Sequence, residues 1–193
     1  MICITKTELD IILRFRLLWT QHSEWTRMAV NAIVFGLPNE EQTVNRLLRN
    51  PVDFGMTFRM FYADSIANRF SELLTEHLVL AADLVKAVMA GNAKQAEAIN
   101  ERWYANANEI SVFLGRINPC WSEKKWRDML FAHLGFVTDE AMTLINGEYQ
   151  RNADLYENLE AQSMEMADMM SQGIIDQFLR KRCSRLSEII KKL

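Results

Sequence analysis

Apolar residues recur at steps of three and four along almost the whole chain. Phe15, Leu18, His22, Trp25, Ala29 and Ala32 form one such stripe, Phe70, Leu73, His77, Leu80 and Leu84 a second, and Trp126, Met129, His133, Phe136, Glu140 and Thr143 a third. An α-helix needs that period to keep one face against a core, and no stretch reads convincingly as a strand. The chain therefore reads as all-α, an up-and-down helical bundle of about six helices. A capping-box-like start at Thr7–Asp10 opens the first helix, which is expected to run to about Phe35. Breaks at Gly36-Leu37-Pro38, near Tyr62, at Gly91-Asn92, at Asn118-Pro119 and at Asn146-Gly147 separate the arms. Asn39 can cap the second arm. Asn50-Pro51 should interrupt it, because proline disfavours helix at the preceding residue, and some backbone there is expected to be free for water or ligand.

The arms share a phase. His22, His77 and His133 are each followed fourteen positions later by a glycine, Gly36, Gly91 and Gly147. Fourteen or fifteen positions further on come Asn50, Asn106 and Gln162, and three beyond these Asp53, Glu109 and Glu165. This spacing predicts three repeated helical hairpins over residues 8–62, 63–118 and 122–178, with a C-terminal extension over 179–193, all in one domain spanning 1–193. At about 1.5 Å per residue, histidine and amide stand at one height, about 21 Å from their shared turn. Short links make the arms alternate up and down. All three histidines and all three amides then fall in one polar layer inside an apolar core.

Three imidazoles at one level suit a divalent metal ion (zinc, nickel or iron), with a fourth position open for water. Asn50, Asn106 and Gln162 would orient the rings or the water from behind. An ion would acidify that water for hydrolysis or group transfer, so a hydrolase or transferase follows from this reading, with Glu140 as catalytic base or extra ligand. Asp53, Glu109 and Glu165 flank the stripes and are weaker candidates. The residues three before the histidines are Trp19, Leu74 and Leu130, which departs from the Glu-x-x-His pairs of a di-iron bundle. Two alternatives stand beside the metal. The layer can be structural, imidazole bonded to carboxamide, in a non-catalytic helical binding or interaction protein. Or it can line an organic-ligand pocket walled by Trp25, Trp103 and Tyr156, for a small molecule that the residues do not identify. The Met164–Met170 run reads as core filler.

Composition narrows the classes further. A net charge of −3, with both signs spread along the chain, gives no nucleic-acid groove. No apolar run approaches the length of a bilayer span, so no membrane partner is expected, and the N-terminus lacks the pattern of a signal peptide. Cys3, Cys120 and Cys183 are odd in number and far apart, and read as reduced thiols of a cytoplasmic protein. The tail carries Leu179, Cys183, Leu186, Ile190 and Leu193 on one stripe among basic residues. It is expected to extend the last helix and to pack in a homodimer. Contact with an anionic membrane or a partner helix is the alternative.

The segments LLWTQHSEWTR, LLRNPVDFG, LLTEHLVLAADLVKA, WYANANEISVFLGRINPCW and INGEYQRNADLYENLEAQSMEMADMMSQGIIDQF resemble a family of small, uncharacterised all-helical bacterial proteins from Gram-positive spore-formers. The resemblance covers roughly residues 17–178. Members are often labelled acetylglutamate kinase. That activity needs an α/β sheet and glycine-rich phosphate loops, and neither pattern occurs here, so the resemblance implies a helical protein and no kinase. In layout the hairpins also look like ferritin-like bundles, and the helix-borne histidines like metal-dependent bundle transferases.

Overall fold

The computed structural model describes residues 4–181 and 183, and every regular element among them is helical. There are seven α-helices: α1 (Lys6–Val34), α2 (Glu40–Leu48), α3 (Asn50–Phe58), α4 (Asp64–Met89), α5 (Ala93–Ile117), α6 (Glu123–Ile145) and α7 (Tyr149–Ile174). A π-helical turn (Ile175–Leu179) follows α7. With α2 and α3 counted as one bent arm, six arms stand side by side. Each packs on its neighbour in sequence, α7 packs back on α1, and α1 also touches α4 and α6.

The capping box lies one pair earlier than the sequence suggested. Thr5 Oγ1 accepts from the Glu8 N–H, and the Glu8 carboxylate accepts from the Thr5 N–H. Thr-x-x-Glu at 5–8 supplies the longer acid that Thr7–Asp10 lacks. At the other end of α1, Gly36 takes a positive φ of 58°. The Leu37 N–H closes onto the Ala32 carbonyl, and the Gly36 N–H onto that of Ile33. The same pair of bonds recurs at Gly91 and at Gly147, so three hairpins turn through one device, a Schellman motif that takes up otherwise orphaned helix carbonyls.

The break at Asn50-Pro51 falls at Arg49, between α2 and α3. Proline brings no N–H for the Leu47 carbonyl, and the Arg49 N–H bonds to the Arg46 carbonyl at 3.3 Å.

Below the histidine level the core is aromatic. Phe15, Phe54, Phe58, Phe70 and Trp126 are almost fully buried, with the Phe58 and Phe70 rings stacked 4.3 Å apart. Each such side chain contributes about 1.5–3 kcal/mol by leaving water. Met166 and Met170 are core, as the reading of the methionine run anticipated.

The end of the bundle opposite the glycine turns is tied by polar contacts. Asn118 donates to the Tyr62 hydroxyl, Tyr62 donates to Gln177, and Gln177 donates to the Ile117 carbonyl. There Cys120 and Cys183 are joined in a disulfide, with Cα atoms 5.4 Å apart. The expectation of reduced thiols is thus corrected for this pair. A separation of 63 residues hides the fact that the α5–α6 link and the chain after α7 meet at one end. The cytoplasmic reading that leaned on free thiols loses that support. Helix does not run straight on into the tail: it ends at Leu179, and Lys181 takes a φ of 51°. Cys3, Leu186, Ile190 and Leu193 lie outside the described residues. No helix among the described residues is long and apolar enough to cross a membrane.

Candidate functional site

His22 of α1, His77 of α4 and His133 of α6 are buried, and each meets the amide of its own hairpin. Nδ1 lies 3.2 Å from Asn50 Oδ1, 2.9 Å from Asn106 Oδ1 and 3.2 Å from Gln162 Oε1. Each amide is fixed in turn. Asn50 Nδ2 donates to the Leu18 carbonyl, Asn106 Nδ2 to that of Leu73, and Gln162 Nε2 to that of Met129. Leu18, Leu73 and Met129 all stand four residues before the histidine of their helix. Their carbonyls already take the histidine's own N–H in the helical ladder, and the second lone pair takes the amide.

This geometry decides the protonation. A carbonyl can only accept, so the amide nitrogen must face it and the amide oxygen must face the ring. Nδ1 therefore carries the proton in all three imidazoles, and Nε2 is the unprotonated nitrogen. Burial pushes the imidazoles down, to about 3 for His22 and about 4 for His77 and His133, against the raising effect of the amide bonds. The His22 and His133 rings are 5.6 Å apart, and charge on His133 or His77 would repel charge on His22. All three rings are neutral at ordinary pH.

Among the described residues, no group of three or more His, Cys, Asp and Glu side chains is placed to hold a metal ion. This overturns the three-histidine metal site, and with it the hydrolase or transferase chemistry built on that site. The physical reason is visible in the layer: the His22 and His133 rings lie against each other, whereas the His77 ring packs on Trp103. Asp53 and Glu109 pair with Arg49 and Arg69 at the surface, and Glu165 is exposed.

Glu140 does not join the layer. It is 1% exposed on α6, and Arg27 of α1 donates to its Oε1 at 2.8 Å. The second Arg27 nitrogen donates to Asn152 Oδ1, and Asn152 Nδ2 returns to the Glu140 carbonyl and to Thr143 Oγ1. The Tyr156 ring lies 4.3 Å from the guanidinium. Glu140 Oε2 is buried without a partner, and so is Thr26 Oγ1. Burial pushes the Glu140 carboxyl up to about 7, outweighing the pull of Arg27. Arg27 and Asn152 were missed in the sequence. Counted from their turns, Arg27, Glu140 and Asn152 stand nine, seven and five residues away, a spread of only about 6 Å in height.

The three residues proposed to wall a ligand pocket are dispersed. Trp103 is buried against His77, with ring centroids 5.5 Å apart; Trp25 is half-buried beside Arg46; Tyr156 covers Arg27. A cavity of about 30 Å³ touches Trp103, Leu84, Val137 and Ala141, room for roughly one water against mostly apolar walls. No protein-family model, no curated protein and no solved structure matches this chain.

Proposed function

We propose that the chain is a non-catalytic helical interaction protein whose histidine–amide layer is structural. One observation carries the reading. Leu9, Leu13 and Leu17 of α1 are 45%, 55% and 51% exposed, and Val52, Met56 and Met60 at the neighbouring α3 are 51%, 50% and 70% exposed. Both sets fall at steps of four: Leu9, Leu13 and Leu17 form a ridge on the outward face of α1, and Val52 and Met56 form one on α3, with Met60 in the turn just past it. Exposed apolar ridges of this kind on two neighbouring helices are characteristic of a binding surface. The layer supports the reading from inside. Neutral imidazoles locked to anchored amides offer rigidity and hold the arms in register.

A photo-crosslinking amino acid placed at position 13 or 56 tests this in cells. The expected outcome is a specific adduct from both positions and none from a control at Glu101, which is exposed on α5. Equal labelling at all three positions, or none at all, removes the reading.

A further inference from the structure

We infer that the partner on this face is a second copy of the chain, packed about a two-fold axis parallel to the helices. The inference rests on the interaction reading and names its partner.

The register of α1 and α3 supplies the argument. Arg14 Nε donates to Thr57 Oγ1 at 3.1 Å, and His22 meets Asn50 at 3.2 Å. These two contacts set α3 antiparallel to α1 and fix relative height. With a rise of about 1.5 Å per residue, Met56 stands between Leu13 and Leu17, and Met60 follows in the turn past Phe58, toward Leu9. The ridges are staggered by about half their own spacing. A two-fold axis running between them, parallel to the helices, preserves height and exchanges sides. It sets the α1 ridge of one copy opposite the α3 ridge of the other, antiparallel, with Met56 entering the gap between two leucines. The face is therefore self-complementary, as a two-fold interface requires.

Size agrees with that partner. Six side chains at these exposures present on the order of 600 Å², near the ~800 Å² per partner of a standard stable interface once flanking atoms are added. The strip between the ridges carries Arg14 and Arg49 with Asp53, and Asp53 lies 3.7 Å from Arg49. The axis sets each of these residues beside its own copy at the same height, where the Asp53 carboxylate offsets the Arg49 guanidinium next to it. Methionine suits the gaps, being unbranched and adaptable.

The test is sedimentation equilibrium of the purified full chain, with circular dichroism to verify folding. Wild type is expected to be dimeric. L13E and M56K are each expected to weaken self-association by ~30-fold or more, because each sets two charges against apolar partners. Mixed in equal amounts, the two variants should reassociate, since the introduced carboxylate of one copy meets the introduced ammonium of the other. A monomeric wild type overturns the inference. So do single variants that stay dimeric, or a mixture that stays monomeric. If the cellular adducts have a mass other than twice the chain while the purified protein is monomeric, the second-copy inference falls and the interaction reading stands. Absence of any face-specific adduct removes both.

Discussion

Two buried polar regions lie about two helical turns apart, and they handle burial differently. In the histidine layer the rings and amides are neutral, and each amide contact to a ring is backed by one to the backbone, with a further 3.3 Å bond from Asn106 to the Glu76 carboxylate at the rim. Around Glu140 the groups are charged, one carboxylate oxygen has no partner, and the arginine that balances the charge is partly open to solvent. The lesson concerns what makes a buried polar group stable. Neutral groups with anchored partners define one arrangement, whereas a buried ion pair with an unpaired oxygen holds a charge that solvent would stabilise better.

The largest effect expected of a single substitution falls in the better-satisfied region. Asn106→Leu leaves the His77 Nδ1–H without an acceptor in the core and should lower unfolding free energy by about 2–3 kcal/mol in a denaturant titration. Adding His77→Leu should recover a good part of that loss, because removing both partners leaves nothing unpaired. A double variant as unstable as the single one would show that the pair does more than satisfy itself.

Acid should separate the two regions by sign. The imidazoles have folded values near 3 to 4, below the ordinary 6.5, so the unfolded chain binds more protons between those limits. Stability from the layer is then fully present above about 6.5 and is lost as pH falls toward 4, by up to roughly 3 kcal/mol per ring. Glu140 acts in the opposite sense. Its folded value near 7 lies above the ordinary 4.5, so its contribution weakens as pH rises from 4.5 to 7. Three rings against one carboxyl predict a net loss in acid, measured as a falling melting temperature below pH 6.5. A flat profile would contradict the assignment of neutral, buried imidazoles.

Arg27→Met should cost about 2 kcal/mol near pH 8 and much less near pH 5, where the carboxyl left behind takes up a proton. Glu140→Gln should be smallest, within about 1 kcal/mol at pH 8, while making the acid-side loss steeper by removing the opposing slope. Chemical denaturation of both variants at the two pH values measures the difference.

The sequence made some of this legible and hid the rest for definite reasons. Periodicity and breaks found the helices because each hairpin turns at a glycine with few competing signals. Phase placed each histidine opposite its amide, because depth is linear in residue number along a helix. It did not reveal the anchoring carbonyls of Leu18, Leu73 and Met129, since backbone acceptors leave no mark in residue type. Nor did it reveal that the His77 ring packs on Trp103, which is why a ring of imidazoles looked like a metal site. Glu140 stood out because its counterparts Ala29 and Leu84 are apolar. Arg27 did not, since it sits at the edge of its stripe, where a cation usually faces water. The disulfide was invisible because distance along the chain is a poor guide to which links share an end.

The two ends of the molecule differ in how much change they can absorb. A methyl group added at Gly36, Gly91 or Gly147 would meet nothing within 4 Å, so only the positive φ restrains those corners. At the opposite end, a methyl group on Gly173 would fall 1.8 Å from Trp121 Nε1, and one on Gly115 would fall 2.9 Å from Glu123 Cβ. Loops of new sequence grafted into the glycine corners should therefore leave the protein intact, while the indole-filled notch admits almost no variation. A designer wishing to display a peptide on this scaffold has only one end to work with.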